Sequence, residues 1–299
     1  MEITAKMVKE LRECTGAGMM DCKKALTESD GNLDSAVDLL RTKGLAALAK
    51  KAGRATNEGI IGSHVSADGA VGVLVEVNCE TDFVARNDDF QAFVASIASH
   101  ISAAAPADTA TLMSQPFEGR ADLTVEQVLG EAVSKLGENM SISRFERMEL
   151  SSDAGLVSTY VHGVGNIAVI VEISAASSDI ATSDTLKVFA KDVSMQIAAT
   201  APVAANREEV PSDIVEHELS IYKAQAAESG KPEQIQVKIA EGRLNKFFKE
   251  VTLLEQDFVK DTDMSVKQYM AKASKEAGGE IAIVRFARLV LGETAKAAE

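Results

Sequence analysis

An internal repeat constrains the fold of this chain more than any other feature of its sequence. When the sequence is shifted by about 96 positions without a gap, residues of a first copy coincide with identical residues of a second. In the first copy these residues are Gly59, Val65, Gly69, Val73, Val75, Glu76, Ala85, Asp88, Phe93, Ile101 and Pro106. Since the matches span both strand-like and helix-like segments, we predict one α+β scaffold that is present twice.

Each copy is predicted to begin with two strands and a helix. In the first copy, residues 59–65 and 70–78 flank the turn S-A-D-G, and apolar residues then recur at helical spacing from Phe90 to Ile101. Residues 156–160 and 167–173 repeat the two strands, and a second apolar helix follows them. The two copies are therefore expected to share one order of elements.

The end of each copy is predicted to be a strand. In the first copy, residues 107–121 are predicted to form a loop and residues 123–136 a helix, before a closing strand at 140–150. The pattern of this strand returns at 281–291, where the offset is about 141 rather than 96. The second copy therefore contains an insertion of roughly 45 residues.

The insertion is predicted to form a helical hairpin. Apolar residues are spaced by 4, 3 and 4 positions from Val215 to Ala226, S-G-K-P forms a turn at 229–232, and residues 233–249 form a second helix. Helices of about 15–18 residues extend roughly 25 Å at 1.5 Å per residue. We favour a hairpin that projects from its domain over one that packs flat against it.

Residues 1–54 are predicted to form a separate three-helix domain and linker. A first apolar stripe includes Leu11, T-G-A-G breaks it at 15–18, and residues 19–28 form a second helix. A third stripe ends at Gly44 and is followed by a basic helical linker. A bundle this small is typical of an interaction module.

Composition and charge argue against several classes of function. The net charge of −14, the absence of tryptophan and an aromatic content of 4% disfavour a nucleic-acid partner. The three cysteines and four histidines form no zinc or disulfide pattern, and the common nucleotide-binding and nucleophile motifs are absent from the sequence. No apolar run reaches the roughly 18 residues of a membrane helix, and the N-terminus lacks a signal-peptide pattern. We predict a cytoplasmic protein that uses no cofactor, metal or small-molecule substrate.

Residues 78–87, N-C-E-T-D-F-V-A-R-N, include the tip at which the two copies diverge. They follow an apolar strand, and T-D-F-V at 81–84 corresponds to S-S-D-I at 177–180. If both side chains are exposed, Phe83 is suited to enter an apolar pocket and Asp82 to compete for polar or cationic groups. The alternative is that Phe83 folds into its own core, and the sequence alone does not decide between the two.

Other residues are candidates for chemistry or for partner contacts. Met19 and Met20 lie where exposed apolar side chains suit a protein interface, and His162 lies at the tip of the second copy's hairpin. T-G-A-G-M-M at 15–20 is interpreted as a helix–helix turn rather than a phosphate-binding loop, because no strand precedes it. Cys79 has no histidine near it in sequence, so a small buried residue is favoured over a nucleophile.

Six motifs together resemble one known family along nearly the whole chain. They are T-G-A-G-M-M-D-C-K-K-A-L at 15–26, E-V-N-C-E-T-D-F-V-A-R-N at 76–87, G-E-N-M-S-I-S-R-F at 137–145, Y-V-H-G at 160–163, S-G-K-P at 229–232 and E-G-R-L-N-K-F-F-K-E-V-T-L-L-E-Q-D-F-V-K-D at 241–261. In their order and spacing the chain resembles the bacterial elongation factor Ts family. It departs from that pattern after Glu293, where many members have a longer helix and only residues 294–299 follow here.

The resemblance implies a guanine-nucleotide exchange factor that binds elongation factor Tu in its GDP form. The resemblance implies that four residues help to displace magnesium from this GTPase: Thr81, Asp82, Phe83 and Val84. Asp82 and Phe83 are the side chains that would enter the partner. The residues that we expect to make further contacts with the partner are Leu11, Met19, Met20 and His162. Neither a catalytic residue nor a metal ligand is expected.

The implied fold is α+β, with an N-terminal three-helix bundle like a ubiquitin-associated domain and a duplicated core. We expect core subdomains at 55–150 and 151–291, the helical hairpin at about 207–250 within the second, and a short C-terminal tail at 292–299. The alternative function is a non-enzymatic, chaperone-like protein-binding module, and an enzyme is the third hypothesis.

Overall fold

Three N-terminal helices form a small bundle in a computed structural model that describes residues 3–293. They are α1 (Ala5–Thr15), α2 (Met19–Glu28) and α3 (Leu33–Lys51). The Thr4 hydroxyl caps α1, and Gly16 ends it in the left-handed region with a φ of 67°, where glycine avoids the strain of a side chain. The bundle has its own core, which consists of Val8, Leu11, Cys22, Ala25, Leu26 and Ala36.

The third apolar stripe and the basic helical linker predicted after it form one helix in the structure. Helix α3 continues through Gly44 to Lys51, and Gly44 packs directly on the backbone of Gly130 in a later helix. This close contact offsets the roughly 1 kcal/mol that a glycine costs inside a helix. Leu11 is 0% exposed in the bundle core, so its side chain is not available for the predicted contact with a partner.

The first α+β unit follows the bundle. Its elements are β1 (Glu58–Val65), β2 (Val71–Cys79), α4 (Asp82–Ala85), α5 (Asp88–Ala104), α6 (Thr109–Ser114), β3 (Pro116–Phe117), β4 (Arg120–Thr124), α7 (Val125–Leu136) and β5 (Met140–Glu149). An antiparallel sheet has the order β1–β2–β5. Residues 107–121 are not the predicted loop, because they contain α6 and most of the β3–β4 hairpin, which are too short to produce a periodic signal.

The second α+β unit has the same order of main elements. Its elements are β6 (Gly155–His162), β7 (Ile167–Ala175), α8 (Ser178–Ala181), α9 (Asp184–Thr200), α10 (Ser212–Ala227), α11 (Glu233–Val251), β8 (Asp257–Phe258), β9 (Asp261–Ser265), α12 (Val266–Ala277) and β10 (Ile281–Val290). Its antiparallel sheet has the order β6–β7–β10. The central strand of each sheet also has one shift in its register with the closing strand, beside Glu76 in β2 and beside Glu172 in β7.

The two sheets pack against each other through one face and against helices through the other. Ile61, Leu74 and Met148 of the first unit meet Val157, Ala168 and Ile170 of the second in a shared apolar cluster. The opposite face of each sheet packs on the long helix of its own unit, α5 in the first and α9 in the second. This sheet-to-sheet contact makes the two units one framework.

Two fully buried glutamates join each sheet to the end of the other. The polar partners of Glu76 include Arg144 Nε at 2.8 Å and the Gly292 N–H at 2.9 Å. Those of Glu172 include Arg285 Nε and the Ser151 N–H, each at 2.6 Å. Gly292 follows the last strand of the second unit, and Ser151 follows the last strand of the first. The contacts are thus reciprocal between the units.

Helices α10 and α11 form the predicted hairpin and pack mainly on each other. Between them they bury only Ala226 and Ala240, and most of their other residues are exposed or half-buried. Arg207 pairs with Glu255 and lies 4.8 Å above the Phe248 ring at the base of the hairpin. The exposure of both helices agrees with a projecting arm.

Of the predicted C-terminal tail, residues 294–299 lie outside the described residues. Within residues 3–293, no helix is long and apolar enough to cross a lipid bilayer.

Candidate functional site

The turn between β2 and α5 presents Phe83 to solvent. Thr81 caps the single helical turn α4, and its hydroxyl oxygen accepts a hydrogen bond from the Val84 N–H at 3.4 Å. Ala85 is buried beneath the turn, whereas the Phe83 side chain is 82% exposed, the highest value among the exposed large apolar residues of the described chain. The alternative that Phe83 folds into its own core is therefore wrong.

Asp82 lies beside Phe83 on the same turn, and its side chain is half exposed. Its carboxylate is 3.3 Å from the guanidinium of Arg86, one helical turn further on, and both side chains are at least half exposed. An exposed pair of this kind contributes about 1 kcal/mol or less. Asp82 can therefore exchange Arg86 for another cationic or polar group at low cost.

A pair of carboxylates holds this turn on the segment between α7 and β5. Glu138 accepts hydrogen bonds from the Thr81 N–H at 3.0 Å and from the Thr81 hydroxyl at 2.6 Å. In the opposite direction, Glu80 accepts from the Asn139 N–H at 2.6 Å, which lowers the pKa of Glu80. Arg54 reinforces the contact in two ways. Its guanidinium lies 3.3 Å from the Glu80 carboxylate, and its backbone carbonyl accepts a hydrogen bond from the side-chain amide of Asn139 at 2.9 Å.

Sequence reasoning missed Glu138 as part of the site. The signal that could have found Glu138 is the motif G-E-N-M, which was noted only as part of the family resemblance. No local pattern relates it to Thr81, because the two residues are 57 positions apart.

Cys79 has a structural role beneath the turn. It is fully buried, and its thiol donates to the Thr81 carbonyl at 3.2 Å. Burial, together with the nearby charge of Glu138, raises the pKa of Cys79 to about 12. The residue is therefore a protonated thiol at neutral pH, whereas a cysteine nucleophile must be a thiolate.

The hairpin of the second unit reaches the same strand as the Phe83 turn. The Ile61 N–H donates to the Gly165 carbonyl at 2.9 Å, which joins the β6–β7 turn to β1. The one-turn helix α4 also contacts β1, whose Glu58 pairs with Cys79 at the end of β2. Glu58 and Ile61 are about 10 Å apart at 3.3 Å per residue, so the structure brings the two predicted contact regions to one strand.

His162 and Val164 are among the exposed residues of that hairpin. The Tyr160 hydroxyl lies 3.0 Å from His162 Nδ1 and orients the ring. Val164 is 61% exposed and is a second residue that sequence reasoning missed. Its signal was the sequence G-V-G, in which two glycines with positive φ leave the valine at the apex of the turn.

Met19 and Met20 lie at the start of α2, where they are 51% and 64% exposed. Their exposure is what the sequence predicted, although they belong to the bundle rather than to the Phe83 turn. The bundle is placed by α3, which packs along α7, the helix that leads into Glu138. Across residues 3–293, no group of three or more His, Cys, Asp or Glu side chains is arranged to hold a metal ion.

An exposed phenylalanine on a turn that is fixed by hydrogen bonds is a preorganised contact residue. Because little conformational freedom remains to be lost, such a residue is suited to recognition of another protein. The fold and this turn thus define an α+β protein with an exposed turn that is suited to binding another protein.

Comparison with known proteins identifies the family. The family model described as Elongation factor TS matches residues 80–293. The elongation factor Ts of Trichlorobacter lovleyi is 50% identical over 293 residues, which cover 98% of this chain and 94% of that protein. Those of Clostridium perfringens strain SM101 and Clostridium novyi are 48% and 46% identical over 291 residues, 97% of this chain and 93% of each relative. The chain belongs to the elongation factor Ts family and is a translation elongation factor.

Proposed function

We propose that this protein is a guanine-nucleotide exchange factor that binds elongation factor Tu in its GDP form and promotes the release of GDP, so that GTP can bind. Membership of the elongation factor Ts family supports this proposal. The observation that carries it is Phe83, which stands 82% exposed on a hydrogen-bonded turn. The activity requires binding energy and no covalent chemistry.

Phe83 and Asp82 have complementary tasks in this proposal. Burial of an exposed phenylalanine in an apolar pocket of the GTPase contributes about 2–3 kcal/mol. Asp82 brings a carboxylate whose one ion partner among residues 3–293 is the exposed Arg86. Together the two residues disturb the site that holds Mg²⁺ and the phosphates, and loss of the cation removes the largest local charge that retains GDP.

Exchange follows from a coupling between two ligands of the same GTPase. We expect the exchange factor to bind the nucleotide-free GTPase more tightly than the GDP-bound GTPase. The exchange factor then weakens the binding of GDP to the same extent as GDP weakens the binding of the exchange factor. Further contacts supply the opposing binding energy, and we assign them to Met19, Met20 and His162, with Val164 beside His162.

The proposed organisation of the protein follows the same reasoning. Residues 1–54 act as a domain like a ubiquitin-associated domain with its linker, and residues 55–150 and 151–291 as two subdomains that arose by duplication. The common strand order of the two sheets and the equivalent register shifts beside Glu76 and Glu172 support the duplication. The protein is proposed to act in the cytoplasm, where protein synthesis takes place. A chaperone-like binding module is the second candidate, which the exposed helical hairpin favours.

The test is the rate of GDP release from elongation factor Tu, with a fluorescent GDP analogue. The double variant Asp82→Ala, Phe83→Ala is expected to lower the stimulated rate by about 30-fold or more, which corresponds to loss of roughly 2 kcal/mol of apolar burial. The matched control is Asp179→Ala, because Asp179 is the exposed residue at the equivalent place in the second unit. The control is expected to behave as the wild type.

Two results would contradict the proposal. If the wild-type protein binds the GTPase without accelerating GDP release, the chaperone-like alternative is favoured. If the double variant accelerates release as well as the wild type does, the Phe83 turn is not the element that disturbs the nucleotide site.

A further inference from the structure

Glu138 uses both oxygens of its carboxylate on one residue, Thr81. One oxygen accepts from the Thr81 N–H at 3.0 Å and the other from the Thr81 hydroxyl at 2.6 Å. Because the hydroxyl proton is directed at Glu138, a lone pair of the same oxygen remains for the Val84 N–H at 3.4 Å. Glu138 therefore holds both the backbone and the side chain of Thr81, and it does so without removing the capping hydrogen bond of the turn.

The second unit contains the same turn without such a carboxylate. Ser177 caps α8 as Thr81 caps α4, and its hydroxyl accepts from the Ile180 N–H at 3.4 Å. At the offset of about 141 that relates the closing strands, the place of Glu138 is taken by Gly279. An added Cβ at Gly279 would lie 2.5 Å from Cδ1 of Ile180 and 3.3 Å from Cβ of Ala176, so a side chain there would require Ile180 to move.

This internal comparison separates the building of the turn from its orientation. A Ser or Thr cap alone suffices for one turn of helix, because α8 forms with Ser177 and Gly279. The carboxylate is present in the unit whose turn presents Phe83, and absent in the unit that has Asp179 there. Hydrogen bonds to a charged acceptor are also the stronger class.

We propose that Glu138 is a positioning residue: it holds the Thr81–Val84 turn in the one orientation that presents Phe83, and it thereby determines how fast bound GDP is released. The proposal rests on the proposed exchange function. Glu138 acts through Thr81 and need not touch the partner itself. Without it, the turn samples other orientations, and the ordering cost is then paid on binding.

The first experiment needs no partner and measures hydrogen exchange of the backbone amides in residues 80–86. In Glu138→Ala, the amides of Thr81 and Val84 are expected to exchange about tenfold faster or more, because the charged acceptor is lost. Glu138→Gln retains one acceptor oxygen and the size of the side chain, so intermediate protection is expected. The matched control is Glu280→Ala, an exposed glutamate of the equivalent segment in the second unit.

The second experiment measures GDP release over a range of factor concentrations. Glu138→Ala is expected to lower the rate at saturating factor by about tenfold, while Glu138→Gln recovers part of it and Glu280→Ala changes nothing. The double variant Glu138→Ala, Phe83→Ala is expected to be no slower than Phe83→Ala alone, since positioning has no effect without the residue that is positioned.

The outcomes distinguish this proposal from the exchange function on which it rests. If Phe83→Ala slows release but Glu138→Ala does not, the exchange function stands and the positioning role is refuted. If the wild type fails to accelerate release, the exchange function fails, and the role in release fails with it. Unchanged hydrogen exchange at Thr81 and Val84 in Glu138→Ala refutes the positioning role whatever the release assay gives.

Discussion

Replacement of Gly130 by alanine should loosen the contact between the N-terminal bundle and the rest of the protein. Helices α3 and α7 cross where Gly44 faces Gly130. A Cβ added at Gly130 would lie 3.0 Å from the carbonyl carbon of Gly44, 3.1 Å from its oxygen and 3.3 Å from the Leu45 nitrogen. All three atoms belong to backbone, so no side chain can rotate away and the two helices must separate.

The size of the effect follows from two opposing contributions. Alanine is better than glycine in a helix by about 1 kcal/mol. Contacts between carbon atoms are favourable at about 3.5–4.0 Å, so the helices must move apart by roughly 0.5 Å or more, and overpacking of this kind costs about 1–3 kcal/mol. We therefore expect Gly130→Ala to range from neutral to about 2 kcal/mol less stable than the wild type.

Gly242 offers a matched control, because it lies inside α11 and an added Cβ would meet nothing within 4 Å. Gly242→Ala should gain the full helix-propensity benefit of about 1 kcal/mol. Urea unfolding followed by circular dichroism measures both variants, and Gly130→Ala should fall below Gly242→Ala by about 1–3 kcal/mol, the overpacking cost alone. If Gly130→Ala is as stabilising as Gly242→Ala, the close helix crossing does not exist and the placement of the bundle inferred from it is wrong.

Two further predictions concern buried polar groups. Glu76→Ala should lower the free energy of unfolding, measured by urea titration, by about 3 kcal/mol, because Arg144 and the Gly292 N–H lose their buried acceptor. The control is Glu149→Ala, which removes an exposed carboxylate and should change the free energy of unfolding by less than about 1 kcal/mol. His100 is buried, and burial lowers its pKa below the ordinary value of about 6.5. The unfolded chain therefore protonates His100 at a higher pH than the folded chain does. The contribution of neutral His100 to the free energy of unfolding is complete above about pH 6.5 and decreases as the pH falls toward the pKa of the folded state. Unfolding free energies at several pH values should show a smaller loss in His100→Gln than in the wild type, and equal losses would refute this assignment.

Predictions that rest on local patterns were accurate. The helix predicted at 19–28 is α2 (Met19–Glu28), because T-G-A-G before it and D-G-N after it interrupt the backbone whatever surrounds them. The predicted bounds of the two closing strands agree with β5 and β10 to within one residue, because the alternation of apolar side chains lies within each strand. The two helices of the insertion were likewise readable from their spacing.

Predictions that depend on distant contacts were less accurate. Leu11 belongs to an apolar stripe that the sequence marks equally well as core or as interface, and only the packing of three helices against one another buries it. The apolar stripe of α3 ends at Gly44, but no local pattern shows that Gly44 packs on the backbone of Gly130. In residues 107–121, α6 has six residues and is shorter than two turns, so periodicity cannot reveal it.

The sequence by itself determined the repeated scaffold, the order of its elements, the inserted hairpin and the motifs of the family, because each of these is encoded over short, contiguous stretches. Tertiary structure alone decided that Phe83 faces solvent, that Glu138 holds Thr81 from 57 positions away, and that the β6–β7 turn reaches β1. The physical reason is that exposure and preorganisation depend on which segments meet in space. A side chain's own sequence neighbours do not contain that information.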